Sequence, residues 1–322
     1  MAAFFPPPTA LDPEMIAAGA LLRTEGLVAL DPRTSALADV RVVQDRIGAY
    51  LSNKVARVAI ERDLVIPGLD RDIPCRFYAP KSAKPLPLLI YFHGGGFIYG
   101  RAQGWDGLMR DLVQQTGIAV LNVDYCRAPE HQFPAGITEA VIVINHVSRT
   151  GSEWGINVTR LAAGGDSAGA NLALVAEMIR RDRGEAALRF LLLFYGVFSS
   201  DTASASWVGL GSGAYGLSQS QMEWIWSNYL ETPNQRDDWR STPLSGDLTR
   251  LPPVHQAIGA LDPLLDDAHA TKRRLDVAGV KNNLLIYPGV NHGFIRFNRM
   301  VGIAQRAVDD AAAALRSALM IE

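Results

Sequence analysis

The stretch that decides the fold is Arg160-Leu161-Ala162-Ala163-Gly164-Gly165-Asp166-Ser167-Ala168-Gly169-Ala170-Asn171-Leu172, where an apolar run meets a glycine-flanked serine and then turns helical. Gly165 to Gly169 fits G-x-S-x-G, the pattern of a sharp strand-to-helix turn that holds a serine hydroxyl out from a sheet. The two glycines leave room for crowded backbone where side chains would collide. A helix starting near Ala168 aims its unpaired N–H groups and positive dipole end at whatever lies over the hydroxyl. Small residues are common, so the pattern is weak alone and its weight rests on the rest of the chain.

The chain outside that stretch alternates as the turn requires. After Pro85 and Pro87, continuous apolar runs are separated by helical segments, the signature of parallel strands buried on both faces. The strands expected are Leu88 to Phe92, Ile118 to Val123, Arg160 to Ala163, Phe190 to Tyr195, Val254 to Ile258 and Asn283 to Tyr287. Helices are expected near 106–116, 135–149, 168–182, 266–278 and 299–319, giving a doubly wound, mostly parallel α/β sheet. Upstream, Val55 to Ile66 and Ile73 to Tyr78 alternate around Pro67-Gly68-Leu69-Asp70 and read as an antiparallel hairpin. Asp12-Pro13 and Asp31-Pro32 each pair an N-cap with proline at N1, predicting helices over 13–29 and 33–51. The alternation breaks between about Ser199 and Leu251, where Trp207, Trp224, Trp226, Tyr229 and Trp239 sit among Ser, Gly and Pro, as in an inserted lid. The domain reading is therefore N-terminal helices in 1–52 and a catalytic unit over 53–322 with an insertion at about 200–240.

Composition narrows the function classes. The 322 residues carry a net charge of −2, which gives no basic field for nucleic acid. A small-molecule partner is expected. No apolar run approaches the roughly 20 residues of a membrane span, so no stable membrane insertion is expected. Met1 to Asp12 has no basic n-region and carries Pro6, Pro7 and Pro8, unlike a signal peptide. Cys75 and Cys126 form no disulfide framework, and a reduced, cytoplasmic setting suits them. Oligomeric state is not set by the sequence, and a homodimer stays open.

A serine hydroxyl needs a base to take its proton, and the base needs a carboxylate to fix its tautomer. Asp262 follows the strand at 254–258, and His292 follows the strand at 283–287 in a glycine-flanked loop, both on the sheet edge that carries Ser167. Asp266 and Asp267 compete for the acid role but fall at a helix start, where acidic caps are expected. His255 lies within a strand, His269 within a helix and His146 near the end of another; each reads as structural or exposed. His93-Gly94-Gly95-Gly96-Phe97 directly follows the first parallel strand, and consecutive glycines let bare backbone supply N–H donors to an oxyanion. Gly94 and Gly95, with Ala168, are the donors expected, and His93 is expected to anchor the loop. Gly211 to Gly216 fits G-x-G-x-x-G literally but lacks a preceding strand, so it is not a dinucleotide site. No His-Glu-x-x-His or Cys-x-x-Cys spacing points to a metal.

These pieces together resemble the hormone-sensitive-lipase-like carboxylesterases of the α/β-hydrolase fold, in the bacterial group with Gly-Asp-Ser-Ala-Gly at the elbow. The matching segments are His93 to Phe97, Asp124-Tyr125 with Ala128 to His131 and Phe133 to Ala135, Gly165 to Gly169, Asp262 to Leu264, and His292 to Phe294. The resemblance implies a Ser167, Asp262, His292 triad, and a cap made by the N-terminal helices and the 200–240 insertion. It further implies a cofactor-free enzyme for short or medium acyl esters. The same triad would also serve an amide or lactone hydrolase or an acyltransferase. Plant hormone receptors of this fold are non-catalytic and have lost the histidine that is present here as His292. Cys126-Arg127 departs from the family's usual Arg-Leu, which bears on the packing of that loop. Phe97, Trp207, Trp224 and Trp226 either line the acyl or alcohol pocket or form the core of the cap.

Overall fold

The computed structural model describes residues 10–53 and 55–319. The proline-rich start through residue 9, on which the targeting expectation rests, lies outside the described residues. In chain order the elements are α1 (Pro13–Thr24), α2 (Leu37–Ser52), β1 (Ile60–Pro67), β2 (Asp72–Ala79), β3 (Leu86–Phe92), α3 (Asp106–Thr116), β4 (Ala119–Val123), α4 (Ala135–Thr150), β5 (Ile156–Asp166) and α5 (Ala168–Asp182). They continue with β6 (Phe190–Phe194), α6 (Ala205–Leu210), α7 (Gln219–Tyr229), β7 (Val254–Leu261), α8 (Leu265–Val277), β8 (Asn282–Asn291) and α9 (Gly302–Leu319).

The eight strands form one sheet in the order β1-β2-β4-β3-β5-β6-β7-β8. β1 pairs antiparallel with β2, and β2 with β4; every later pairing is parallel. Helices α3 and α9 pack together on one face, and α4, α5 and α8 cover the other. This double cover explains why β4, β6 and β7 are buried at every residue and show no polar alternation. β1, at the edge, keeps the alternating exposure of a one-sided strand.

Several boundaries differ from the sequence expectation, α1 ending at Thr24, β1 starting at Ile60 and β5 spanning Ile156–Asp166, and two of the differences have a plain physical reason. Asp12 caps α1, its carboxylate accepting from the Glu14 N–H at 2.8 Å. Asp31 does not cap α2, which begins at Leu37 after Ala36. Instead it holds Arg33 in an ion pair at 2.7 Å across a local turn. β8 also runs past Tyr287 to Asn291, because a bulge around Pro288-Gly289 lets it realign with β7.

Register carries this geometry to one edge of the sheet. Phe92 pairs with Gly165, so the His93 loop starts beside the turn that carries Ser167. Leu261 pairs with Asn291, so the next residues, Asp262 and His292, leave the sheet side by side. Segments from the carboxyl ends of β3, β5, β7 and β8 thus meet in one place.

His255 sits in the middle of β7, 1% exposed and in register with Asn283 of β8. Burial pushes its pKa down to about 4 from an ordinary 6.5. Between those values the unfolded chain takes up a proton that the folded chain refuses. The stability present above pH 6.5 is therefore lost as pH falls toward 4, by on the order of 3 kcal/mol from this group. His255→Leu is expected to flatten the fall in thermal midpoint between pH 7 and 5; parallel curves for the two proteins would refute this account.

Candidate active site

The turn between β5 and α5 places Ser167 at φ 54°, ψ −118°, a region that non-glycine residues seldom occupy. The strain is held by its neighbours. A methyl group on Gly165 or Gly169 would overlap the Phe92 carbonyl, so the turn lies directly on the end of β3. The Ser167 N–H donates to the Phe194 carbonyl at 2.9 Å, tying the turn to β6 as well.

The serine hydroxyl lies 3.0 Å from His292 Nε2, and His292 Nδ1 lies 2.8 Å from Asp262 Oδ2. A carboxylate can only accept, so Nδ1 carries the proton and Nε2 is left to accept from the serine. Asp262 is fully buried, and its other oxygen accepts from the Leu264 N–H at 2.9 Å, which fixes the carboxylate plane. Tyr195 packs edge-on against the imidazole, with ring centroids 5.0 Å apart. The arrangement can activate a hydroxyl for attack on an acyl carbon.

The competing acids are engaged elsewhere, though not as caps of their own helix. Asp266 accepts from the Ser206 N–H at 2.8 Å; Asp267 accepts from the Phe198 and Ser199 N–H groups at 3.0 and 2.9 Å. Both hold the segment that runs from the end of β6 into α6. Burial raises the Asp267 pKa to about 7. His93 anchors its loop as expected. Its Nδ1 lies 2.7 Å from the Gly94 carbonyl oxygen, its ring stacks on Tyr125, and the Tyr125 hydroxyl donates to the His93 carbonyl at 2.8 Å. In the departing Cys126-Arg127 pair, Arg127 donates to the Gly100 carbonyl at 2.7 Å and Cys126 is buried.

Gly94 is corrected as an oxyanion donor. Its N–H is spent on Asp166 Oδ1 at 2.8 Å. The N–H groups of Gly95 and Gly96 donate to no backbone carbonyl among the described residues, and both glycines border the cavity over Ser167. Gly96, the third of the triplet, has φ 59°, and three glycines in a row look alike in sequence until one finds a partner. Asp166, buried and holding Gly94, Tyr91 at 3.0 Å and Tyr195 at 3.4 Å, braces this loop. Burial raises its pKa, and the surrounding donors oppose that rise.

A cavity of about 520 Å³ lies over Ser167 and His292. Its walls come from α1 and α2 (Leu22, Ile47, Leu51) and from α7 (Met222, Ile225), with Tyr99, Trp105, Tyr195 and Phe297 as its aromatic residues. Phe97, Trp207, Trp224 and Trp226 do not border it. On α7, Met222 and Ile225 face the cavity, while Trp226 and Tyr229 turn toward Phe97, which stacks on Tyr229 at 3.9 Å. Phe97, Trp207 and Trp226 thus form core, and Trp224 packs half-buried against it. The glycine-rich 211–216 loop follows a helix, α6, and contributes Gly216 to the cavity rim.

A sequence profile of the α/β hydrolase fold matches residues 89–296. An acetyl esterase of Salmonella paratyphi B is 33% identical over 256 residues, 78% of each chain. The chain belongs to the α/β-hydrolase family. Within it, the enzyme is a carboxylic ester hydrolase of the hormone-sensitive-lipase-like group. Crystal structures agree: an α/β hydrolase from the metagenome of Lake Arreo superposes with a TM-score of 0.89 at 34% identity, covering 95% of this chain and 98% of its own. A hyperthermophilic esterase of Pyrobaculum calidifontis gives 0.90 at 30%, covering 96% and 99%. Among the described residues of the esterase, no helix is long and apolar enough to cross a membrane.

The brace at Asp166 makes a measurable claim. Asp166→Ala is expected to lower kcat on a p-nitrophenyl ester about 100-fold with little change in KM, since a misplaced donor loop costs on that order. Asp166→Asn, which keeps an acceptor for Gly94, should retain activity within about tenfold of wild type. Steady-state kinetics on folded protein decide it, and equal losses in the two variants would contradict the bracing role.

Proposed function

We propose that the protein is a serine carboxylesterase that hydrolyses short- to medium-chain acyl esters through an acyl-enzyme. The observation that carries this is the unbroken Ser167–His292–Asp262 chain at 3.0 and 2.8 Å. As the Ser167 hydroxyl attacks the ester carbonyl, His292 takes its proton and then delivers it to the leaving alcohol. Asp262 holds the imidazole in the required tautomer and steadies its transient positive charge. The N–H groups of Gly95, Gly96 and Ala168 receive the negative charge that grows on the carbonyl oxygen. Water then enters, loses a proton to His292 and releases the acid.

In this reading α1, α2 and the 200–240 insertion act together as a cap, because residues from all three enclose the cavity above the serine. A space of this size can enclose a small to medium ester. The acetyl esterase relatives support the short-chain preference.

Ser167→Ala is expected to lower kcat on p-nitrophenyl butyrate by about 10⁴–10⁶, without loss of folding by circular dichroism. Equal rates would sink the assignment. Across p-nitrophenyl esters of rising length, kcat/KM is expected to peak at acetate or butyrate; a maximum at long-chain esters would overturn the chain-length reading.

A further inference from the structure

One charged side chain bordering the cavity is not used by the proposed mechanism. Arg296, four residues beyond His292, lies with its guanidinium 4.2 Å from the centroid of the Trp105 ring. Among the described residues it has no hydrogen-bond or ion-pair partner. Its Nε and Nη2 are shielded from solvent and unpartnered, and Nη2 lies against Gly48 of α2. The side chain borders the cavity over Ser167 and also a small cleft beside Ser52 and Asn298. Burial pulls its pKa down, while the field of Asp166 opposes that fall. An arginine keeps its charge under such pressure.

The carboxylates nearby are already committed. Asp166 accepts from Gly94, Tyr91 and Tyr195. Asp45 on α2 pairs with Arg101 at 3.5 Å. The other charged side chain on the cavity wall besides Asp166 is Arg23, exposed on α1, so the chamber leans positive. A desolvated cation without an acceptor is costly, and an incoming anion would remove that cost. Stacking on Trp105 covers the guanidinium face and leaves its in-plane N–H groups for such an acceptor.

We infer that Arg296 forms an anion subsite of the active-site cavity, and that the esters it suits carry a carboxylate a few methylenes from the scissile bond. This rests on the serine-esterase reading.

The test compares two pairs of esters that differ only by exchange of a methyl for a carboxylate: p-nitrophenyl pentanoate with mono-p-nitrophenyl glutarate, and butyl acetate with 4-acetoxybutanoate. An apolar pocket without a cation disfavours the charged member. Here the ratio of kcat/KM, charged over neutral, is expected to reach about ten in at least one pair, the worth of one charge-assisted hydrogen bond, and to fall as salt rises. Arg296→Gln should bring that ratio to one or below, and Arg296→Lys should keep most of it. If none of the four esters is hydrolysed, the esterase reading and the subsite fall together. If they are hydrolysed with no preference for the charged member of either pair, or if Arg296→Gln leaves the ratio unchanged, the subsite alone is overturned.

Discussion

The close contact between the β5–α5 turn and the end of β3 is the constraint on which the rest of the site depends. Gly165 and Gly169 bring the turn onto the Phe92 carbonyl with no side chain between them. Two things follow from that single contact. Ser167 is forced to φ 54° and its hydroxyl stands clear of the sheet. The loop that continues from Phe92 is also brought beside the serine, so His93 to Gly96 and the N-terminus of α5 face the same point. The strain at the serine is held by a helix whose residues Leu172 to Ala176 are all buried against the sheet.

Buried charge is distributed around this point in a graded way. Asp262 is buried with both oxygens occupied, one by the imidazole and one by backbone. Asp166 is equally buried, yet its partners are neutral donors, and it serves the loop opposite the triad. Asp267 fastens the segment that follows β6. Three acidic side chains near one serine thus act differently, because burial makes each depend on the donors its own backbone neighbourhood supplies. Arg296 differs from all of them in having no hydrogen-bond or ion-pair partner among the described residues, only the face of Trp105.

The glycine triplet shows where residue type stops being informative. Gly94, Gly95 and Gly96 are identical in sequence, and each could offer its N–H to an oxyanion. Gly94 is removed from that set by Asp166, a residue 72 positions away. Likewise Trp226 and Ile225 are neighbours on α7, and only the rotation of that helix against Phe97 and Tyr229 decides which of them borders the cavity. Asp31-Pro32 had the form of a helix start, but Arg33 captures the aspartate in a local turn.

The sequence by itself determined the elements and their class. Continuous apolar runs separated by helical segments can be buried only in a doubly covered parallel sheet, and G-x-S-x-G with an aspartate and a histidine after later strands picks out the groups proposed to react. These signals are local, carried by periodicity and by residues whose chemistry has few other uses. What only the tertiary structure decided is which interchangeable groups are free to act: the donors left over after Asp166 takes one, the apolar side chains that meet the cavity, and the arginine left, among the described residues, without a hydrogen-bond or ion-pair partner. Those depend on contacts between residues far apart in the chain, set by strand register and helix rotation, and no local pattern encodes them.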